Sequence, residues 1–180
     1  MPSFPPCSTP DFEAALGPPT RRLALSWAGH TWDMRADRTL YWPAHNALLV
    51  ADLHWGKDET FRQYGVPLPP GILERELARL RDALVETGAE RLYVLGDLIH
   101  HRAGIAPVVV EAIACWRTTV DADIVLIRGN HDRHLARLPR RWAIKERAAM
   151  LEVDGIQLVH DPDDIGSHGI AGHWHPAVRI

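Results

Sequence analysis

The chain has 180 residues, a formal net charge of −3, 46% hydrophobic and 24% charged residues. That balance suits one globular domain with a core of useful size. It excludes a global positive field drawing the chain to nucleic acid or an anionic membrane, so any such partner must be met by a local patch. No apolar run is long enough to span a bilayer, so no membrane partner is expected. The first residues lack the charged and apolar regions of a secretory signal. Cys7 and Cys115 are too few for a disulfide framework and point to a reducing cytoplasm. The 11 His and 7 Trp stand out.

Residues 1–20 hold six prolines and read as a loose tail, leaving 21–180 as the domain. Leu23–Trp27 and Thr31–Met34 read as short strands joined near Gly29. Ala47–Ala51 is a continuous apolar run, as in a strand buried on both faces. A loop rich in Gly and Pro (Gly65–Gly71) leads to a helix in which Leu73, Leu77, Leu80 and Leu84 share one face and Gly88 is the stop. Leu92–Leu95 is a second buried strand, Pro107–Val120 a second helix and Ile124–Ile127 a third buried strand. Met150–Val159 reads as a hairpin turning at Asp154-Gly155. Alternating strands and helices favour parallel pairing in the first half.

Each apolar run ends in residues that bind metals. Ala51 precedes Asp52-Leu53-His54, and Leu95 precedes Gly96-Asp97, with His100 close behind. Arg128 precedes Gly129-Asn130-His131-Asp132, Val159 precedes His160, and Ala171 precedes Gly172-His173-Trp174-His175. Carboxyl ends of strands are where α/β sheets build sites. Strand alternation would aim Asp52 with His54, and His173 with His175, in common directions. Oxygen and imidazole ligands without thiolate suit Mn, Fe or Zn. Their number exceeds the needs of one ion and fits two ions about 3.5–4 Å apart, bridged by a carboxylate.

The order Asp-x-His, Gly-Asp, Gly-Asn-His-Asp, His, Gly-His-x-His, from about Ala47 to Pro176, resembles the calcineurin-like metallophosphoesterases. The resemblance implies a four-layer α/β/β/α sandwich with a di-metal centre. Asp52, His54, Asp97 and His175 would hold one ion, and Asp97, Asn130, His160 and His173 the other, with Asp97 bridging. His131 would be the acid beside the leaving group. The stretches ADLHWGKDETFRQYGVPLP, GDLIHHRAG, RGNHD and AGHWHPAVRI look like the branch of ligase-associated DNA damage response endonucleases, PdeM. That branch implies a Mn-dependent phosphodiesterase or nuclease. Relatives usually carry further strands after the last motif, so the sandwich is expected to lack C-terminal strands.

On this reading two divalent ions, Mn before Fe or Zn, supply a bound hydroxide that attacks a phosphodiester such as single-stranded or damaged DNA. His131 protonates the departing oxygen. Asp132 either orients the His131 ring or caps the next segment. His100 is read as a contact with substrate or behind the ligands. Lys57, Arg62 and Arg102 are candidate phosphate contacts, with ordinary surface charge as the alternative. Trp55 and Trp174 flank ligands and read as packing, with base stacking as the alternative. Arg133, Arg137, Arg140, Arg141, Lys145 and Arg147 form either a solvated face or a basic patch for nucleic acid. His30, His45, His101, His134 and His168 read as structural or surface residues. A repair ligase or helicase partner enters through the resemblance alone. Two other functions compete: a pyrophosphatase on a lipid-linked nucleotide, and a non-catalytic scaffold of the same fold.

Overall fold

The computed structural model describes residues 21–147 and 149–174. The expected tail at residues 1–20 and His175 lie outside them. Two sheets stack on each other. The larger has seven strands in chain order: β1 (Arg22–Trp27), β2 (His30–Arg35), β3 (Leu40–Trp42), β4 (Ala47–Val50), β5 (Arg91–Leu95), β6 (Asp123–Ile127) and β7 (Ile144–Arg147). Pairing is antiparallel from β1 to β4 and parallel from β4 to β7. In the smaller sheet β8 (Met150–Val153) and β9 (Ile156–Val159) form the expected hairpin, and β10 (Gly169–Ala171) runs parallel to β9. Among the described residues three α-helices join these strands: α1 (Lys57–Gln63), α2 (Ile72–Thr87) and α3 (Pro107–Arg117).

Strand alternation divides the core in two. Leu48, Val50, Leu92, Val94, Ile124 and Leu126 face the helices, meeting Leu73, Leu77, Leu80 and Leu84 of α2 with Val109 and Ile113 of α3. Ala47, Leu49, Tyr93, Leu95, Val125 and Ile127 face the small sheet, meeting Ile156 and Leu158. The central strands are therefore covered on both sides, which is why their sequences are unbroken apolar runs. Helices, large sheet and small sheet make three layers of the sandwich among the described residues.

Helix α2 ends where Gly88 takes φ 64° and its N–H reaches the Val85 carbonyl. Pro107 opens α3, where a missing N–H is harmless. Most of the tryptophan load is core. Trp32 and Trp42 pack at 4.5 Å between the sheets. Trp55 meets Trp116 at 5.6 Å and Trp142 at 6.4 Å on the helical side, so it packs and does not stack on a base. Among the described residues no helix is long and apolar enough to cross a membrane.

Candidate metal centre

The loops beyond β4 and β5 stay zipped together after the strands end. Asp52 N–H donates to the Gly96 carbonyl at 3.1 Å, His54 N–H to Asp97 at 2.9 Å, and Trp55 N–H to Leu98 at 2.7 Å. Asp52, His54 and Asp97 take φ values of 53°, 47° and 52°, and His173 takes 68°. These are left-handed conformations, which short polar side chains tolerate better than most. The expectation that extended alternation aims Asp52 with His54 is therefore corrected: kinked backbone points them.

Asp97 sits at the middle, 3% exposed. Ligand atoms of Asp52, His54 and Asp97 lie within 4.8 Å of one another, and so do those of Asp97, His160 and His173. The two groups share Asp97. The loops after β4, β5 and β6 supply one side of the rim, and those after β9 and β10 supply the other, so both sheets contribute ligands.

The second group is closely drawn together around the Asn130 amide. The Asn130 Oδ1 position lies 2.7 Å from His160 Nε2 and 3.2 Å from each Asp97 carboxylate oxygen. An oxygen that meets only acceptors is repelled unless a cation lies among them; without one, a rotated amide donates its NH2 to the same atoms. His160 Nδ1–H donates to the Leu95 carbonyl at 3.0 Å, which leaves the Nε2 lone pair facing inward. His173 Nδ1 comes to 3.1 Å from that Nε2, and His173 N–H reaches Asp52 Oδ2 at 3.1 Å. Two glycines make room: a Cβ on Gly96, at φ +80°, would enter the His160 ring, and one on Gly129 would overlap the Asp97 carboxylate. Burial, against the pull of Asp97, lowers the His54 pKa to about 4. Its imidazole is thus neutral and ready to ligate. The donors fit a pair of divalent cations that accept nitrogen and oxygen.

His131 lies beside the shared carboxylate. Its N–H donates to Asp97 Oδ1 at 3.0 Å, and its Nδ1–H donates to the His100 carbonyl at 2.7 Å. That leaves Nε2 turned toward the centre, 3.8 Å from Asp97 Oδ2. Asp132 does not touch this ring. It is fully buried, and its carboxylate accepts from Gly129 N–H at 3.0 Å, Ile99 N–H at 3.1 Å and Leu98 N–H at 3.4 Å. It staples the β6 loop to the β5 loop, and burial pushes its pKa up against those bonds. The orienting role is corrected accordingly.

The other expected residues divide. His100 stacks on His131 at 5.4 Å and on Phe61 at 6.0 Å, and its pKa is lowered by burial, then by Lys57. A cleft of about 360 Å³ opens here, lined by Phe61, Tyr64, His100, His101, His131 and His134 among others. A neighbouring cleft of about 380 Å³ shares His134 and adds Arg102 and Arg137. Lys57 is exposed and near enough to His54 and His100 to depress both pKa values. Arg62 is engaged by Asp58 at 3.1 Å and Glu59 at 3.0 Å, so surface pairing describes it better than phosphate contact. In the basic stretch Arg141 pairs with Glu111 and Lys145 with Asp123, both at 2.9 Å. Trp174, beside His173, is 71% exposed. Phe61, His101 and His134 were not expected at the site. The paired His100-His101 was the available signal, and Phe61 had none.

Fold and rim together define a metallophosphoesterase. The calcineurin-like phosphoesterase family matches residues 45–176, and the chain belongs to that family. It is a metal-dependent phosphoesterase. Among solved structures it is similar to a nuclease of Pseudomonas putida, "Crystal structure of Pseudomonas putida nuclease MPE", at 35% identity and a TM-score of 0.76, with 85% of this chain and 73% of that one covered. No curated protein matches the chain. Neither the lipid-linked pyrophosphatase nor the scaffold reading is favoured by these findings.

Proposed function

We propose that the protein is a two-metal phosphodiesterase that cleaves nucleic acid, with single-stranded or damaged DNA as the substrate class. The observation that carries the reading is the sharing of Asp97 between two ligand groups with the free Nε2 of His131 beside it. Asp52, His54, Asp97 and His175 would hold one ion, and Asp97, Asn130, His160 and His173 the other. The bound ions would lower the pKa of a water and neutralise phosphoryl charge. Mn is the proposed metal, with Fe and Zn as alternatives.

His131 would place a proton on the departing oxygen from Nε2, since Nδ1 is held by the His100 carbonyl. Asp132 positions both loops and does not enter the chemistry. Lys57 and Arg102 would meet phosphate oxygens, and Phe61 with His100 would face a nucleobase in the cleft. The similarity to a nuclease supports nucleic acid over a small diester. A part in DNA repair and a ligase or helicase partner belong to the same proposal and rest on the resemblance read from the sequence; a cytoplasmic location is proposed from the low cysteine count.

The test is hydrolysis of an aryl phosphodiester and of single-stranded DNA, with Mn added or chelated. Mn-dependent cleavage of both supports the reading. Cleavage of the ester alone overturns the nuclease assignment, and cleavage surviving chelation overturns the metal centre.

A further inference from the structure

A second set of ligand-type side chains lies at the other end of the sandwich. His30 opens β2, His45 ends the short turn before β4, and Asp154 sits in the β8–β9 turn. These are the amino ends of β2, β4 and β9, whereas Asp52 and His160 follow the carboxyl ends of β4 and β9. The four residues of β4 alone separate the two places by about 13 Å.

The three side chains converge. His45 Nε2 is 3.1 Å from Asp154 Oδ2, and His30 Nδ1 is 3.9 Å from the same oxygen. One ligand atom from each residue falls within 4.8 Å of the others. His30 Nε2 lies 3.2 Å from the Asp154 carbonyl. A carbonyl only accepts, so in the neutral ring the proton sits on Nε2 and Nδ1 is left as the ligand atom. This is the arrangement that sets a metal-binding histidine, with one nitrogen tied to backbone and the other free to ligate. Nitrogen and oxygen ligands about 2.05 Å from a tetrahedral zinc stand roughly 3.3 Å from one another, and the observed spacings straddle that value.

Packing holds the rings in place before any ion arrives. The fully buried Trp42 lies 4.0 Å from the His45 ring and 5.0 Å edge-on to the His30 ring. Asp154, with its side chain 60% exposed, leaves the cluster open to solvent for access and for a fourth ligand.

We propose that His30, His45 and Asp154 form a separate metal site of the zinc class, with two imidazoles, one carboxylate and a water. Its ion clamps the β8–β9 turn to the large sheet, and β9 carries His160 at its far end. The proposal does not depend on the nuclease reading.

The test uses the full chain equilibrated with zinc and freed of excess. Metal analysis is expected to find one zinc more in the wild type than in His45→Ala or Asp154→Asn. Aryl phosphodiester turnover is expected to be unchanged in both. Asn tolerates the φ of 49° at position 154, so that variant keeps its turn. Zinc-edge anomalous diffraction is expected to place a peak bonded to all three side chains. Equal zinc in wild type and both variants, or a peak at the catalytic rim with none here, overturns the site and leaves a His–Asp hydrogen-bonded cluster. Zinc held here without DNA cleavage overturns only the nuclease reading.

Discussion

Replacing Asp132 by Asn separates a loop staple from a catalytic partner. The carboxylate accepts three backbone N–H bonds, from Gly129 and Leu98 to Oδ2 and from Ile99 to Oδ1. An amide has one oxygen, so the best orientation keeps the two bonds at the Oδ2 position and sets its NH2 against the Ile99 N–H. Two buried donors, the Ile99 N–H and the amide NH2 set against it, are then orphaned, which costs about 2–6 kcal/mol. In a domain of this size each kcal/mol lowers Tm by about 2–4 °C, so the fall is about 4–24 °C. Asp132→Ala orphans all three donors, about 3–9 kcal/mol. That approaches the whole stability of a typical domain, so little folded protein is expected. The assay is thermal unfolding of Asp132→Asn beside its turnover of an aryl phosphodiester with Mn. A staple predicts a clear Tm loss with turnover within about tenfold of wild type at temperatures where the variant is folded. An unchanged Tm with turnover down by about 10⁴-fold, as expected where a carboxylate sets a histidine tautomer, would refute the staple.

Three further outcomes follow from the same geometry. His131→Ala should retain metal by elemental analysis and lose about 10²–10⁴-fold in turnover, because the variant lacks only the proton donor; normal activity would remove His131 from the chemistry. Asp97→Ala should lose both ions together, since both ligand groups include it; retention of one full equivalent would show that the carboxylate is not shared. The His54 imidazole, with its pKa lowered to about 4 from 6.5, is neutral when folded and protonated when unfolded between those values. Metal-free protein should therefore be most stable above pH 6.5 and lose stability as pH falls toward 4. His54→Asn should flatten that slope in Tm measurements, by less than about 3 kcal/mol given solvent screening of a half-exposed ring.

The sequence marked the elements that bury a repeating apolar face. The leucines of α2 and the solid runs of β4, β5 and β6 were legible because each is covered on both sides or along one stripe. Three elements were not legible. β3 has three residues, too few to show alternation. β7, Ile-Lys-Glu-Arg, is polar at every position but one. α1, Lys57–Gln63, buries Asp58 and Thr60 and so presents no apolar stripe. Tertiary packing fixes these segments, and no local pattern announces them.

Ligand identities at the site were legible because coordination demands particular atoms, while their aim was not. Among the described residues nine non-glycine positions have positive φ, and Asp52, His54, Asp97 and His173 are four of them. A left-handed residue costs roughly 1–2 kcal/mol, less for Asp and His, which enter that region several times more readily than most. The strain is offset by contacts distant in sequence: the backbone zipper from Asp52 to Gly96 and from His54 to Asp97, and the His173 N–H on Asp52. Each of these bonds joins two segments that both carry ligands. The centre is thus held by its loops against one another before any metal arrives, and loosening one loop displaces ligands on its neighbour. This coupling is why Asp132, a buried carboxylate that touches neither the His131 ring nor a proposed ligand side chain, is expected to set the stability of the loops that carry the ligands.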